Sequence, residues 1–290
     1  MSNPARASQE DAIPHWTKVV LAERTFDEFV KLVNESCGVT LSKLKRTMLE
    51  TRLRRRLNEC DLPDFESYLN FLRSPNGRQS ELQNFVDSVV TNETSFFRER
   101  FHFDYLSPAQ VAQIAAEGTG ASVRAWSAAC SSGEEVWTLA MVLETAARAG
   151  NLSWSILGTD ISIKVLQKAR EAIYTRDQIA TTPPAMARDF ILGARDPQDD
   201  RVRIAPELRS RVSFGQVNLM HEAYKLKHQM DIIFLRNVLI YFEPATQEQV
   251  LAKLCKHLRP GGLLFLGHSD TTRSPKLPLR PIQNNIYIRT

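Results

Sequence analysis

The sequence is poor in the features that build metal sites, disulfide frameworks or membrane spans. Its four cysteines, Cys37, Cys60, Cys130 and Cys255, lie far apart in 290 residues and form no Cys-x-x-Cys pair. That spacing argues against a zinc site and against disulfides, and it suits a reducing compartment. The six histidines show no ligand spacing, so no metal is expected, and His15 reads as a solvated tail residue. No apolar run reaches the roughly 18 residues of a membrane span. Met1 to Glu10 also lack the apolar core of a secretory signal. A cytoplasmic protein without membrane insertion is therefore expected. There is no internal repeat and no low-complexity stretch. The composition, 43% apolar and 24% charged with a net charge of +4, is that of a globular protein with one large or two modest domains.

Glycine is also scarce where a phosphate-binding loop would need it. Val123 to Trp126 reads as a short strand, Ser127 to Gly133 as a loop of small residues with one glycine, and Glu134 to Ala149 as a helix. Val136, Leu139, Ala140 and Leu143 recur there at helical spacing. Some twenty residues on, Ser155 to Asp160 reads as a second strand ending in an acid. A small-residue loop at a strand–helix junction, followed by an acid at the next strand end, suits a nucleoside in a parallel α/β sheet. The helix start offers free N–H groups. The acids Glu134 and Glu135 in its first turn would repel phosphates and favour a cation. S-adenosylmethionine (SAM), with a sulfonium and an ammonium, fits better than NAD or ATP. An ordinary βαβ unit with nothing bound is the plain alternative.

Residues 1–20 are polar and read as a mobile tail, and residues 21–90 read as a helical bundle. Thr25 to Glu28 reads as a capping box opening the first helix, which Cys37-Gly38 ends. Leu41 to Cys60 forms a second helix. Asp64 caps a third, Ser74 to Gly77 breaks the chain, and Glu81 to Val90 forms a fourth. The second helix carries Lys43, Lys45, Arg46, Arg52, Arg54, Arg55 and Arg56 against Glu50 alone. Lys45, Arg52 and Arg56 form one stripe beside Leu49, Leu53 and Leu57. Without interleaved acids for pairing within the helix, the stripe reads as a recognition surface for an acidic partner. Nucleic acid and an acidic helical protein are both candidates, though the stretch lacks aromatics for base stacking. A solvated helix face is the bland reading.

Thr91 to Arg100 is a polar connector that Phe96 and Phe97 anchor, with Arg98 projecting from it. Phe101 to Glu117 is helical, broken near Pro108. Ser162 caps a helix through Ala172. Residues 174–211 fit no βαβ repeat and read as an insert with a small antiparallel element that includes Arg201 to Ile204. Val212 to Leu219 and Met230 to Leu235 are strands, followed by Val238 to Phe242 and a helix from Thr246 to Leu258. Pro260 to Gly262 turns into Leu263 to Leu266, and Ile286 to Ile288 closes the sheet with an antiparallel strand. The order implies an open, mostly parallel sheet with ligand groups at strand C-termini.

Six motifs in this order resemble those of the CheR family of chemotaxis receptor glutamate O-methyltransferases. They are Thr91-Asn-Glu-Thr-Ser-Phe-Phe-Arg98, Trp126-Ser-Ala-Ala-Cys-Ser-Ser-Gly-Glu-Glu135, Gly158-Thr-Asp-Ile-Ser162, Val217-Asn-Leu219, Leu235-Arg-Asn-Val-Leu-Ile-Tyr-Phe242 and Leu264-Phe-Leu-Gly-His-Ser269. The resemblance spans nearly the whole chain. It implies a class I SAM-dependent methyltransferase, with a mostly parallel doubly wound sheet and an inserted antiparallel β-subdomain over about 174–211. That domain, over 91–290, would follow an all-α N-terminal domain over 21–90 that recognises substrate. It implies methyl transfer from SAM to receptor glutamates, giving glutamyl methyl esters and S-adenosylhomocysteine (SAH). Carried over residue by residue, Asn92, Thr94, Arg98, Glu134, Asp160, Asn218, Leu219, Arg236 and Asn237 would touch the cofactor. Arg98 and Tyr241 would lie at the transfer centre. The basic helix, with Lys45, Arg52 and Arg56, would lie along the acidic helical region of the receptor, in line with its charge.

Two positions depart from the family pattern. Val136-Trp137 replaces a frequent Pro-Tyr and alters helix packing only. In some members a Gly-rich loop docks a C-terminal receptor pentapeptide. The matching loop here, Gly193 to Asp200, has one glycine and three aspartates, so docking of that pentapeptide is not expected. A glutamate is ionised at neutral pH, so the implied reaction needs no general base, and His268 reads as a structural hydrogen-bonding residue. A SAM- or SAH-sensing module that binds an acidic partner without catalysis is the competing class. An RNA methyltransferase is a further rival.

Overall fold

The structure is a computed structural model and describes residues 19–118, 121–196, 198–270, 272 and 274–290. Most of the expected N-terminal tail, His15 included, lies outside the described residues. The chain divides into two compact units. One holds the described residues through Glu35 together with Leu41–Val89, and the other holds Ser36–Thr40 with Val90–Thr290.

The first unit is all helical. It contains α1 (Glu23–Cys37) as far as Glu35, a 3₁₀ turn at Lys43–Lys45, α2 (Arg46–Glu59), α3 (Phe65–Arg73), α4 (Pro75–Ser80) and α5 (Leu82–Val89). Phe29, Tyr68 and Phe85 pack ring against ring, with centroids 5.8–6.3 Å apart, and Leu49, Leu53 and Leu57 of α2 are fully buried. Three sequence expectations need correction here. Phe26 already donates to the Ala22 carbonyl, so α1 opens before Thr25 and that residue caps nothing. The basic helix is two pieces, a 3₁₀ turn and then α2. The break expected over Ser74 to Gly77 falls at Ser74, which is extended and ends α3, but the following residues start α4, because the Ser74 hydroxyl accepts from Gly77 N–H and Pro75 occupies the first helical position.

The second unit is built on a seven-stranded sheet. In chain order it runs α6 (Phe101–Tyr105), α7 (Pro108–Glu117), β1 (Ser122–Ala128), α8 (Glu134–Gly150), β2 (Ser153–Asp160) and α9 (Ile163–Glu171). A small subdomain follows: β3 (Ile173–Thr175), α10 (Pro184–Phe190), β4 (Ile191–Gly193), β5 (Arg201–Ile204) and α11 (Pro206–Arg209). Then come β6 (Val212–Gln216), β7 (Met230–Leu235), a 3₁₀ turn at Leu239–Tyr241, α12 (Pro244–His257), β8 (Leu258–Leu266), β9 (Leu279–Gln283) and β10 (Ile286–Arg289). The large sheet has the order β6-β2-β1-β7-β8-β10-β9, in which β10 alone runs antiparallel to the other strands. β3, β5 and β4 pair antiparallel in a separate sheet, the expected inserted subdomain. The fold is thus a class I methyltransferase-type α/β sheet with an antiparallel insert, accompanied by an all-α N-terminal unit.

β7 is buried at all six positions and β1 at five of seven, as expected for central strands covered on both faces. Phe234 and Phe265 stack at 4.4 Å between centroids, with Phe103 against Phe234 at 5.6 Å. β9 escaped the sequence reading because Pro281 interrupts its strand pattern, which an edge position tolerates. β6 ends at Gln216 rather than Leu219, leaving Asn218 beyond the strand. α12 starts two residues earlier than expected, with Pro244 in its first turn. Among the described residues no helix is long and apolar enough to cross a membrane.

Candidate functional site

Strand register brings the predicted residues to one edge. Asp160 pairs with Gln216, Ala128 with Thr159, Ser127 with Phe234, and Leu235 with Leu266. β6, β2, β1, β7 and β8 therefore finish level. Asn218, Asp160, the loop after Ala128, Arg236 and Gly267 all emerge at the same end of the sheet. From β1 the chain proceeds to β2 and β6 on one side, then crosses to β7 and β8 on the other. The point of reversal, between β1 and β7, is where open α/β sheets bind ligands.

The loop after β1 is shaped by left-handed residues at alternate positions, Ala129 (φ 87°), Ser131 (φ 49°) and Gly133 (φ 97°). Alternation of this kind curls the backbone into an anion-binding nest. The anion it holds is the chain's own Asp160, whose Oδ2 accepts from Ser131 N–H at 2.8 Å. Oδ1 accepts from the amide of Ser162, the α9 cap, at 2.9 Å. Ala129 and Cys130 both donate to the Thr159 carbonyl. Ala129 and Ser131 carry about 1–2 kcal/mol of strain each, as L-residues do there. The hydrogen bonds to Thr159 and Asp160 hold them in place. Asp160 is 7% exposed. The Ser131 hydroxyl donates to the Asn92 carbonyl at 2.8 Å, tying the connector to this loop.

The two acids that open α8 have separate fates. Glu135 Oε1 accepts from the Ser127 hydroxyl at 2.7 Å, and Oε2 receives Arg236 Nη1 at 3.1 Å. Burial pushes its carboxyl upward, and the Arg236 charge opposes the shift. Glu134 is 4% exposed and accepts from the Ser132 hydroxyl at 2.8 Å, and burial raises its carboxyl too. It forms no ion pair among the described residues. Glu135 already has a cationic partner, so of these two acids Glu134 is the one whose charge no ion pair among the described residues meets.

Arg236 follows β7 directly, and its side chain is 1% exposed. Nη2 donates to the Arg98 carbonyl and lies 3.2 Å from Glu99 Oε2. The guanidinium carbon sits 5.4 Å from the Phe103 ring centroid, and Nε has no hydrogen-bond partner among the described residues. The Glu99 carboxylate also accepts from His268 N–H at 3.0 and 3.1 Å and from Asn237 Nδ2 at 3.1 Å. Burial alone would raise Glu99, but those hydrogen bonds and the Arg236 charge leave it below its usual value. Asn237, left-handed at φ 57°, donates its backbone N–H to Asp270, which also accepts from Ile240 and Gly267. His268 contributes its amide here.

Arg98 is half-buried and donates to the Glu93 carbonyl at 2.9 Å, so it is anchored as well as projecting. Thr94, earlier in the same connector, is half-buried as well. Tyr241 is half-buried at the end of its 3₁₀ turn, its carbonyl accepting from Thr40 N–H, while its hydroxyl has no partner among the described residues. The Asn218 side chain turns inward. It donates to the Ser36 carbonyl at 2.7 Å and accepts from Met220 N–H at 2.9 Å. Leu219 is buried, and Val217 N–H donates to the Asp160 carbonyl.

Lys45, Arg52 and Arg56 lie in the other unit. Lys45 is exposed, Arg52 donates to the Val89 carbonyl at 2.6 Å, and Arg56 is clamped on Glu81 at 2.6 and 2.7 Å. The expected lack of opposing acids is therefore corrected. Glu23, Glu50, Glu59 and Glu81 pair with Lys43, Arg54, Arg55 and Arg56, and three of these acids lie outside residues 43–56. Sequence reasoning also missed Glu99 and Asp270. The available signal was Arg236 itself. A cation directly after a fully buried strand requires acids nearby.

The donor set fits SAM. Asp160, Glu134, Glu135 and Glu99 outnumber Arg98 and Arg236 around the strand ends, an acidic excess that favours a sulfonium and an ammonium and disfavours a phosphate. The comparisons agree with this chemistry. The family model described as "CheR methyltransferase, SAM binding domain" matches residues 92–288, and the one described as "CheR methyltransferase, all-alpha domain" matches residues 24–90. The chemotaxis protein methyltransferase of Escherichia coli strain K12 is 37% identical over 253 residues, 87% of this chain and 86% of that protein. That of Borreliella burgdorferi is 35% identical over 85% of this chain and 88% of its own length. Chemotaxis protein methyltransferase 2 of Pseudomonas aeruginosa is 34% identical over 86% and 87%. With both domain models matched in order and the motif residues gathered at one sheet edge, the chain belongs to the CheR methyltransferase family.

Proposed function

We propose that this chain transfers the methyl group of SAM to glutamate side-chain carboxylates of chemotaxis receptors in the cytoplasm, forming glutamyl methyl esters. The observation that carries the reading is the acidic excess at the strand ends, suited to a cationic methyl donor, in a chain whose relatives are named chemotaxis protein methyltransferases. When bound, SAM supplies an electrophilic methyl on a sulfonium. Asp160, held open by the loop amides, accepts from ribose hydroxyls. Glu134, buried and in no ion pair among the described residues, balances positive charge on the cofactor. Asn92, Thr94, Asn218, Leu219 and Asn237 line the site, and Arg236, whose side chain is enclosed, contributes through its backbone.

Arg98 and Tyr241 orient the receptor carboxylate, Tyr241 through its unpartnered hydroxyl. The nucleophile is already ionised, so these residues need move no proton. Reaction neutralises charge, and a grip that is too strong on the anion would stabilise the ground state more than the transition state. One half-buried guanidinium and one hydroxyl give orientation without a dense positive cage. Positioning at near-attack distance then supplies most of the rate.

Lys45 and the neighbouring basic residues of the first unit recognise the acidic helical region of the receptor, with Arg52 and Arg56 fixing the helix that presents them. The insert loop carries Asp199, paired to Arg201 at 2.7 Å, and recognition does not depend on a receptor C-terminal pentapeptide. The test is transfer of labelled methyl from SAM to cytoplasmic receptor fragments with and without their tails. Label that mild base releases as methanol, on both fragments, is expected. Base-stable label would contradict glutamyl ester formation. SAM binding without labelling would instead support the sensing module.

A further inference from the structure

We propose that Glu99 and Arg236 are positioning residues that set the direction of Arg98. The proposal deepens the transfer reading above and rests on it for its consequence in catalysis. Arg98 sits between two left-handed residues, Phe97 (φ 53°) and Glu99 (φ 55°), neither of them glycine. A bulky residue such as phenylalanine adopts that conformation only where its surroundings over-determine it.

The restraints are identifiable. Phe96 and Phe97 are 1% and 8% exposed. Phe97 N–H donates to Thr138 Oγ1 at 3.2 Å, and the Thr181 hydroxyl donates to the Phe96 carbonyl at 2.7 Å. Those contacts hold the residues before Arg98 only in part, because the left-handed Phe97 also needs the peptide after Arg98 to stay in place. The residues after Arg98 are held by one buried guanidinium and by the start of α6, where the Glu99 carbonyl accepts from His102 N–H at 3.1 Å. Arg236 Nη2 holds both the Arg98 carbonyl and the Glu99 carboxylate, while Nη1 is held by Glu135 at the start of α8.

Glu99 closes the clamp from the other side. It receives His268 N–H from the turn after β8 and Asn237 Nδ2 from the turn after β7. The packing there has no slack, because a Cβ on Gly267 would lie 2.5 Å from Asn237 N and 2.7 Å from Asp270 Oδ2. A carboxylate at position 99 therefore locks the connector to the ends of two strands. Removing its charge leaves Glu135 as the one ionic partner of Arg236 among the described residues, so the guanidinium is held less firmly against the Arg98 carbonyl and the peptide that aims Arg98 loosens.

The test uses the full chain with two variants, Glu99→Gln and Arg236→Lys. Glutamine keeps the shape and an acceptor but removes the charge facing Arg236. Lysine keeps the charge but not the planar fork that spans Glu135 and the Arg98 carbonyl. Expected for Glu99→Gln are a fall in kcat of about 30-fold or more, and a SAM Kd and receptor KM each within about threefold of the parent. Hydrogen exchange at the Phe97 amide should accelerate at least tenfold, with exchange in α12 unchanged. Arg236→Lys should behave alike and serves if the first variant does not fold. Unchanged Phe97 exchange in a folded variant would overturn the clamp, as would a loss confined to SAM affinity. If the parent chain labels no receptor yet Phe97 exchange rises in the variant, the clamp on Arg98 stands and the transfer reading falls.

Discussion

Stability of the second unit should depend on pH through His102. This residue of α6 is fully buried. Its ring lies 4.0 Å from that of Phe101 and 5.6 Å from that of Phe265, centroid to centroid, and neither nitrogen has a hydrogen-bond partner among the described residues. Nδ1 is 3.5 Å from Glu99 Oε2. Burial, then the Arg236 charge, lower its pKa from 6.5 to about 4, against the opposing pull of Glu99. Above pH 6.5 the ring is neutral in folded and unfolded chains, and it contributes no pH dependence. Between 6.5 and 4 the unfolded chain binds a proton that the folded chain refuses, so stability falls as pH falls. Integrated to pH 4.5, the loss is about 2.5 kcal/mol at roughly 1.4 kcal/mol per pKa unit.

The assay is urea unfolding of the parent and His102→Phe from pH 8 to 4.5. It is followed by tryptophan fluorescence, since Trp126, Trp137 and Trp154 all lie in this unit. Glu134, Glu135 and Asp270, which burial raises, act in the opposite direction over part of the same range. They are present in both proteins, so the difference between the two curves isolates His102. That difference should be flat above pH 7 and should move about 2.5 kcal/mol in favour of the variant by pH 4.5. Parallel curves would refute the reasoning.

Four further outcomes follow from the same contacts. Arg56→Ala should destabilise the first unit by about 3–5 kcal/mol in denaturant unfolding, because it strands the Glu81 carboxylate, 4% exposed, without its cation. The exposed Lys45→Glu should shift stability by less than about 0.5 kcal/mol while lowering receptor methylation, and equal methylation would remove Lys45 from recognition. Asp160→Ala should weaken SAM binding by about 1–3 kcal/mol in calorimetry, with unchanged affinity showing that Asp160 does not hold the ribose. Tyr241→Phe should cut turnover with little change in SAM affinity, and equal turnover would take its hydroxyl out of the chemistry.

Local rules made much of the second unit legible. Small residues from Ser127 to Gly133, helical spacing in α8, and acids at the ends of two elements locate the β1-α8-β2 core, and Ser162 caps α9 as its type implies. What the sequence hid was pairing across long separations. Glu81 answers Arg56 from 25 residues away, and Glu99 answers Arg236 from 137 away, so neither pair leaves a helical or strand period to read. The basic stripe looked unopposed for that reason. The left-handed turns at Phe97, Ala129 and Asn237 were equally hidden, because these residue types carry no glycine-like signal. Proline misled in both directions. Pro75 and Pro244 start helices, and Pro281 sits in an edge strand.

The central claim is that the acidic sheet edge of this chain delivers a methyl group to receptor glutamates. Mass mapping of a receptor cytoplasmic fragment after incubation with the chain and deuterated SAM tests it most directly. Deuterated methyl on glutamate side chains of the helical region, lost on mild base treatment and reduced with Asp160→Ala at limiting SAM, is the predicted result. Methyl on lysine or on nucleic acid, stable to base, would contradict it.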